Sequence, residues 1–296
     1  MPAEEWNNIT VEDINKGIVV VDNAITYDGG NSTGTVPDFN EFVWVPIPES
    51  NKFSRTAWTT KYGYDSGGNL NSSGTTPHQL AEVSTLNRWW EDKTTTEYTN
   101  MVASVQHYKG FYIGRYEASK DSTGTIAQSK RNQTTWTDVM QTTSITASTK
   151  LNPTNNSHLM YGIEWDSVLN WLNGNATISS TTTGETKTME LADIQTNSSS
   201  WGNYSNSTGD AATGKGSKQK TGYNEYWKAN NIYDLAGNVW EWTQEKYSTG
   251  TERTVRGGNY YYNGDYFSTA VRNSGSETYT NGHNRFPSKL ICSTDF

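Results

Sequence analysis

Hydrophobic residues in this chain come in short blocks that are separated by long polar stretches. Apolar runs at 17–21 and 42–47 predict two strands, and Pro46 predicts that the second strand lies at a sheet edge. A third strand is predicted at 110–117, where alternate residues would face a core. No sequence repeat accompanies these blocks, so they indicate a mixed fold rather than a repeat architecture.

Helical spacing is confined to three places. It is predicted over 79–106, with a break near 94–96, and tryptophan–acid pairs around 135–138 and 162–172 each open a helical pattern. The last of these continues as an amphipathic stripe. Residues 174–224 are rich in Thr, Ser, Asn and Gly and show no periodicity, which predicts a long inserted loop.

These elements predict an α+β protein with a simple organisation. A polar N-terminal extension, 1–38, precedes a single domain, 39–296, which carries the polar insertion 174–224. Only 32% of the 296 residues are hydrophobic, but the chain has 12 Trp, 18 Tyr and 7 Phe. Since each large ring buries well over a hundred square ångströms, we expect a core built on aromatic side chains.

Charge and composition exclude several function classes. The formal net charge is −8, which argues against nucleic acid as a partner. A single cysteine excludes a disulfide framework or a cysteine-rich zinc site, and the four histidines lack metal-ligand spacing. No apolar run reaches the length of about 18 residues that a membrane span needs. The first residues show no signal-peptide pattern, so we expect neither membrane insertion nor a leader within this chain.

Two motifs carry a resemblance to a known family. Residues 231–243, NIYDLAGNVWEWT, and residues 255–260, VRGGNY, resemble the conserved blocks of the formylglycine-generating (sulfatase-modifying factor) family. The stretches 110–119, 134–140 and 161–172 resemble further blocks of that family, in the same order. The resemblance implies a C-type-lectin-like fold of the formylglycine-generating-enzyme type, with much irregular structure.

The oxidase chemistry of that family is not expected here. Its enzymes use a cysteine pair that binds copper, and soft thiolates are the ligands that hold Cu(I). The corresponding stretch, 259–285, contains no cysteine, and the single thiol of Cys292 lies beyond it. We therefore expect a protein that is not an enzyme. An oxidoreductase of the same superfamily with an altered active site stays open as an alternative.

The segment 259–285 also resembles the variable segment of proteins that diversity-generating retroelements mutate at adenines. Free replacement of two adenines in an Asn codon gives a limited set of residues, and only Glu277 of these 27 positions falls outside that set. Asn, Tyr, Ser and Thr account for 16 of the 27. The resemblance implies a non-enzymatic, ligand-binding (receptor-type) variable protein. A carbohydrate-binding lectin of fixed sequence is the other alternative.

Tyrosine with Ser, Asn and Gly is the composition of antibody recognition loops, because the rings offer large contact areas at little entropic cost. We expect a protein or glycan ligand on a target surface, extracellular, cell-surface or virion display, and avidity if several copies are displayed. Val271 is expected to point outward beside structural residues at 270 and 272. The predicted ligand contacts are Tyr261, Tyr262, Asn263, Asp265, Tyr266, Phe267, Ser268, Val271, Asn273, Ser274, Tyr279, Asn281 and His283.

The GNVWEW block has two interpretations. Trp240 and Trp242 are core rings in the first, and Glu241 is a buried carboxylate bonded to backbone amides or to Arg256. Arg256 would then form an internal ion pair with Glu241 or Asp234. In the second, hard oxygen ligands bind calcium, as the resemblance implies for some family enzymes. The calcium ligands would include Asn238, Val239 and Glu241.

Overall fold

The structure is a computed structural model that describes residues 9–22, 39–58, 60, 78–79, 91–154, 156–180, 185–247, 250–278 and 290–292. The helices of this part are α1 (Val11–Lys16), α2 (Thr96–Tyr108), α3 (Gln141–Thr149), α4 (Gly162–Leu172) and α5 (Leu191–Gln195). Its strands are β1 (Val19–Val21), β2 (Glu41–Pro46), β3 (Thr56–Ala57), β4 (His78–Gln79), β5 (Gly110–Gly114), β6 (Ser119–Lys120), β7 (Ala127–Gln128), β8 (His158–Leu159), β9 (Thr177–Ser180), β10 (Glu185–Thr188), β11 (Lys228–Ala229), β12 (Ile232–Tyr233), β13 (Glu241–Lys246), β14 (Glu252–Arg256), β15 (Asn273–Ser276) and β16 (Leu290–Cys292). The fold is mixed α+β with small antiparallel sheets, as the sequence predicts at this level.

The largest sheet has five strands in the order β1-β2-β5-β16-β8. All five residues of β5 are buried, so this strand is covered on both faces and not only on alternate positions. The edge position predicted from Pro46 is wrong, because β2 lies between β1 and β5. The proline is tolerated because it ends the strand. On the side of β2 that faces β1, the Trp44 N–H donates a hydrogen bond to Ile18 O. Pro46 lies two residues beyond this bond, where no backbone N–H is required.

The predicted helices are confirmed in part. α4 coincides with the prediction for 162–172, and its residues are nearly all buried rather than confined to a stripe. The helix expected to begin around 135–138 begins later, at Gln141 (α3), since Asp138 has a φ of 61°. α2 begins at Thr96, after the predicted break, and the earlier residues 80–90 lie outside the described part. No helix in the described ranges is long and apolar enough to span a membrane.

The polar insertion 174–224 is more ordered than its composition predicts. It contains β9, β10 and α5, and it buries Trp201 and Tyr204 completely. Four fully buried tryptophans show how the aromatic core holds irregular chain, because each indole N–H donates to a backbone carbonyl. These bonds join Trp165 to Thr269, Trp201 to Asp193, Trp227 to Ala211 and Trp242 to Val139.

A buried histidine makes stability depend on pH. His158 on β8 lies 3.1 Å from the carboxylate of Glu164 on α4. Burial lowers the pKa of His158, but the charge and hydrogen bonding of Glu164 outweigh it and raise the pKa to about 9. The folded state therefore holds a proton that the unfolded chain releases near its ordinary value of 6.5. We expect the free energy of unfolding to be highest below that value and to fall, by on the order of 1–3 kcal/mol, as the pH rises through about 9.

Urea unfolding at about pH 6 and about pH 9.5 measures this fall. His158→Asn is the matched variant, because it removes the titrating group and leaves the other buried charges in place. The variant is expected to show a smaller fall over the same interval. An equal pH dependence in the two proteins would contradict the assignment to His158.

Candidate ligand-binding face

Two glycines turn the chain into the tyrosine-rich segment. Gly257 and Gly258, after β14, have φ values of 86° and 79°, in the left-handed region that favours glycine. A Cβ atom at position 258 would lie 2.4 Å from the backbone oxygen of Phe267. Tyr204 of the insertion donates its hydroxyl to Gly257 O at 2.6 Å. Three chain segments therefore pass close together at the RGG motif, and a residue with a Cβ atom at position 258 would collide with one of them.

Framework atoms, and not the exposed side chains, hold the backbone of the next turn. The buried amide oxygen of Asn259 accepts from the backbone N–H groups of Tyr261 and Tyr262, at 3.1 and 3.2 Å. The Tyr260 N–H donates to Asn238 O at 3.0 Å. The conformation of the turn thus does not depend on the phenol rings that it displays.

Three tyrosines form what we call the tyrosine face: Tyr261, Tyr262 and Tyr266. They are 63%, 37% and 41% exposed, whereas most of the other aromatic rings that the structure describes are buried or half-buried. The Tyr262 and Tyr266 rings pack on Phe267, with centroids 4.8 and 5.1 Å away, and Tyr261 packs on Tyr262 at 5.3 Å. Phe267 in turn contacts the buried ring of Trp240 at 5.2 Å. The exposed rings therefore stand on a rigid aromatic base.

The polar insertion supports this face from the side. The Gly264 N–H donates to Asn206 Oδ1, and the Gly264 carbonyl oxygen accepts from the Ser198 N–H. The Ser205 N–H donates to the carbonyl oxygen of Tyr262. Ser205 Oγ also donates to Asn263 Oδ1 at 2.6 Å, and Asn206 Nδ2 donates to Asp265 Oδ1 at 3.1 Å. Sequence reasoning did not single out these supporting residues, because no motif marks them among so many Ser and Asn residues.

The structure divides the predicted ligand contacts into three groups. Seven are exposed or half-buried and are accessible to a partner: Tyr261, Tyr262, Asn263, Asp265, Tyr266, Asn273 and Ser274. Phe267, Ser268 and Val271 are buried, so the outward orientation expected of Val271 is wrong. Phe267 and Val271 belong to an apolar cluster, and Ser268 donates its hydroxyl to Gln195 O. Tyr279, Asn281 and His283 lie outside the described residues.

A buried ion cluster anchors the end of this segment. Arg272 donates to Asp166 and Glu245 at 2.5 and 2.7 Å, and Arg256 contacts the same two carboxylates at 3.1 and 3.3 Å. The internal ion pair predicted for Arg256 exists, but its partners differ from the candidates Glu241 and Asp234. The remaining members, Arg55 and Glu91, complete a set of three arginines and three carboxylates, all nearly inaccessible to solvent.

Electrostatics within the cluster follow from burial and charge balance. Burial opposes ionisation of Asp166, but Arg272, Arg256 and Arg55 outweigh it and lower the pKa of this carboxyl group. Glu91 has less compensation, so burial raises its pKa to about 7. Asp166 is therefore the ionised centre of the cluster. Through its ion pair with Arg272 it holds the end of the tyrosine-rich segment against α4.

Two of the residues proposed for calcium, Asn238 and Val239, make hydrogen bonds within the protein. The amide oxygen of Asn238 accepts from Asn203 Nδ2 and from Gln219 N, both at 3.0 Å. Its amide nitrogen donates to Glu117, whose carboxylate also accepts from Val239 N. The third, Glu241, is a buried carboxylate, and the described ranges hold no group of three or more acidic, His or Cys residues that could hold a metal. The block serves as a hydrogen-bonding hub, in which Asn238 links three segments.

Comparisons with known proteins add similarities of low identity. No family model matches the chain, and no curated protein matches it. Solved structures similar to it include PvdO from Pseudomonas aeruginosa, at 13% identity, 90% of this chain, 100% of that chain and a TM-score of 0.49. Variable protein 1 from Treponema denticola matches at 12% identity, over 90% of this chain and 91% of that chain, with a TM-score of 0.30. Neither score is high enough to identify the fold or the function of this chain.

Proposed function

We propose that this chain is a non-enzymatic ligand-binding protein and that the tyrosine face is the centre of its binding surface. One observation carries the proposal: Tyr261, Tyr262 and Tyr266 are exposed on a turn whose backbone is held by other residues. Side chains at these positions can change without loss of the contacts that shape the turn. A rigid scaffold with a replaceable aromatic surface suits recognition of a protein or glycan.

The finer proposal is that a retroelement diversifies this surface on a C-type-lectin-like scaffold of the formylglycine-generating-enzyme type. The motif residues support it, since Gly237, Gly258 and the Asn238 hub form the buried framework around the turn. Variation would fall on the accessible codons at 261, 262, 263 and 266 and would spare the buried stretch 267–272. A downstream DNA copy that differs at adenines in those four codons would support it, and differences spread over 267–272 would contradict it.

Replacing the three rings together tests the separation of surface from scaffold. We expect Tyr261→Ser/Tyr262→Ser/Tyr266→Ser to unfold within about 1–2 kcal/mol of the parent protein, because exposed substitutions each change stability little. Urea unfolding followed by tryptophan fluorescence measures this. A loss of about 4 kcal/mol or more would mean that these rings belong to the core, and the proposal would then fail.

A matched pair of display libraries tests binding when the natural ligand is unidentified. One library randomises positions 261, 262, 263 and 266, and the other randomises four exposed threonines of α3 at 142, 143, 146 and 149. Both are selected against immobilised lysozyme as the probe. We expect binders from the first library alone. No binders from either, or equal numbers from both, would contradict a dedicated recognition face.

The alternatives have separate tests. Stoichiometric iron or copper in the purified protein would favour the altered oxidoreductase. Binding of one glycan class on an array, retained when the tyrosine face is replaced, would favour the lectin of fixed sequence.

A further inference from the structure

A concave site lies apart from the tyrosine face. It is a cavity of about 510 Å³ between α1, β2, the end of α2 and α4, within the size range of small-molecule sites. The described residues that line it all precede residue 176, so it shares none with the turn or with the ion cluster's Arg256 and Arg272.

The walls of the cavity are largely apolar and aromatic. Trp44 of β2 and Trp171 of α4 line it, together with Tyr108 at the end of α2 and Val11 of α1. Tyr108 is 44% exposed and Val11 is 74% exposed, which places two of the described chain's large exposed hydrophobic side chains at this one opening. A ligand with a flat apolar body would cover them and gain the free energy of burying both surfaces.

Charge at the opening has one sign. The charged side chains among the described lining residues are Lys52 and Lys109, and neither forms an ion pair within the described ranges. Two ammonium groups therefore lie beside an apolar wall that has no acidic side chain among its described residues, in a chain whose net charge is −8. They favour an anionic group on the ligand.

An unsatisfied donor lies at the same wall. The indole nitrogen of Trp171 is buried and has no hydrogen-bond acceptor within the part of the chain that the structure describes. The core tryptophans Trp165, Trp201, Trp227 and Trp242 all donate to backbone carbonyls. Since a buried donor without an acceptor costs about 1–3 kcal/mol, this indole is a destabilising feature of the residue that lines the cavity.

We propose that this cavity binds a small amphipathic organic anion, with a flat apolar body against Trp44 and Trp171 and a carboxylate or sulfonate toward Lys52 and Lys109. The site is independent of the proposed recognition function, and either proposal can fail without the other.

Fluorescence titration of the folded protein with anilinonaphthalene sulfonate, an aromatic anion, tests the proposal. The uncharged N-phenyl-naphthylamine serves as the second probe. We expect both to bind at about one site per chain. Lys52→Glu/Lys109→Glu should weaken binding of the sulfonate by about tenfold or more and leave the uncharged probe nearly unaffected. The matched control, Lys120→Glu/Lys150→Glu, changes two exposed lysines elsewhere by the same total charge and should weaken sulfonate binding by less than about twofold.

Asn170→Trp places a large ring in the cavity from the exposed side of α4 and is expected to abolish binding of both probes. Near-ultraviolet circular dichroism checks that each variant keeps its tertiary packing. If Asn170→Trp does not fold, the comparison of the two lysine pairs still decides. The proposal is overturned if the sulfonate does not bind, or if both lysine pairs weaken it equally.

Discussion

Asp166→Asn is expected to destabilise the protein by about 3–5 kcal/mol, because it removes one charge from the centre of a buried ion cluster. Asp166 accepts hydrogen bonds from Arg55, Arg256 and Arg272, and also from the backbone of Thr56 and the indole of Trp58. The isosteric amide keeps the volume and loses the charge, so three buried arginines would face only two carboxylates. Since the free energy of unfolding of a domain is about 5–15 kcal/mol, this loss would be a large part of the total stability. Urea unfolding at neutral pH measures the loss.

Two further variants make this prediction specific. Asp138→Asn changes an exposed carboxylate to the same amide and should cost less than about 1 kcal/mol. Arg272→Met in the Asp166→Asn background restores the balance of buried charge, so the double variant should be more stable than the sum of the two single losses predicts. Strict additivity, or a loss below about 1 kcal/mol for Asp166→Asn, would contradict the role given to the cluster.

Phe267→Ala is expected to cost about 3–5 kcal/mol, although the preceding residue, Tyr266, is exposed. The ring is buried and contacts Trp240, Tyr262 and Tyr266, with centroids 4.8 to 5.2 Å apart. Its removal leaves a cavity beneath the tyrosine face. We therefore expect binders obtained from the tyrosine-face library to lose affinity in this background, because their aromatic base is no longer rigid.

Tyr266→Ala is the matched control, since it removes an adjacent ring of similar size from an exposed position. It should change the free energy of unfolding by about 1 kcal/mol or less. Equal losses for the two variants would mean that the division between face and base is incorrect.

The local pattern of hydrophobic and polar residues predicted correctly those elements that are determined by their own residues. α4 is correct because its apolar spacing and the Tyr161–Glu164 cap lie within one short stretch. The helix start predicted at 135–138 fails because Asp138 adopts a left-handed conformation, which helical backbone excludes, and helical spacing of side chains does not reveal it. The edge assignment of β2 fails because strand order is decided by distant segments, and Pro46 constrains only its own end of the strand.

The candidate site shows the same division. Composition pointed to the tyrosine-rich segment and, through the motifs, to the glycines that turn it. Composition could not show that Phe267 and Val271 are buried while Tyr262 and Tyr266 are exposed. Residues in a turn follow no fixed alternation of inward and outward side chains.

The sequence by itself determined a mixed α+β chain with an aromatic core, a net charge of −8 and tyrosines concentrated after Gly258. These are properties of composition and short motifs, which need no partner elsewhere in the chain. Only the tertiary structure decided which tyrosines are exposed, that Arg256 and Arg272 share Asp166 and Glu245, and that Trp44 and Trp171 line one cavity. Each of these joins residues far apart in sequence, so burial and charge pairing between segments, rather than local propensity, determine them.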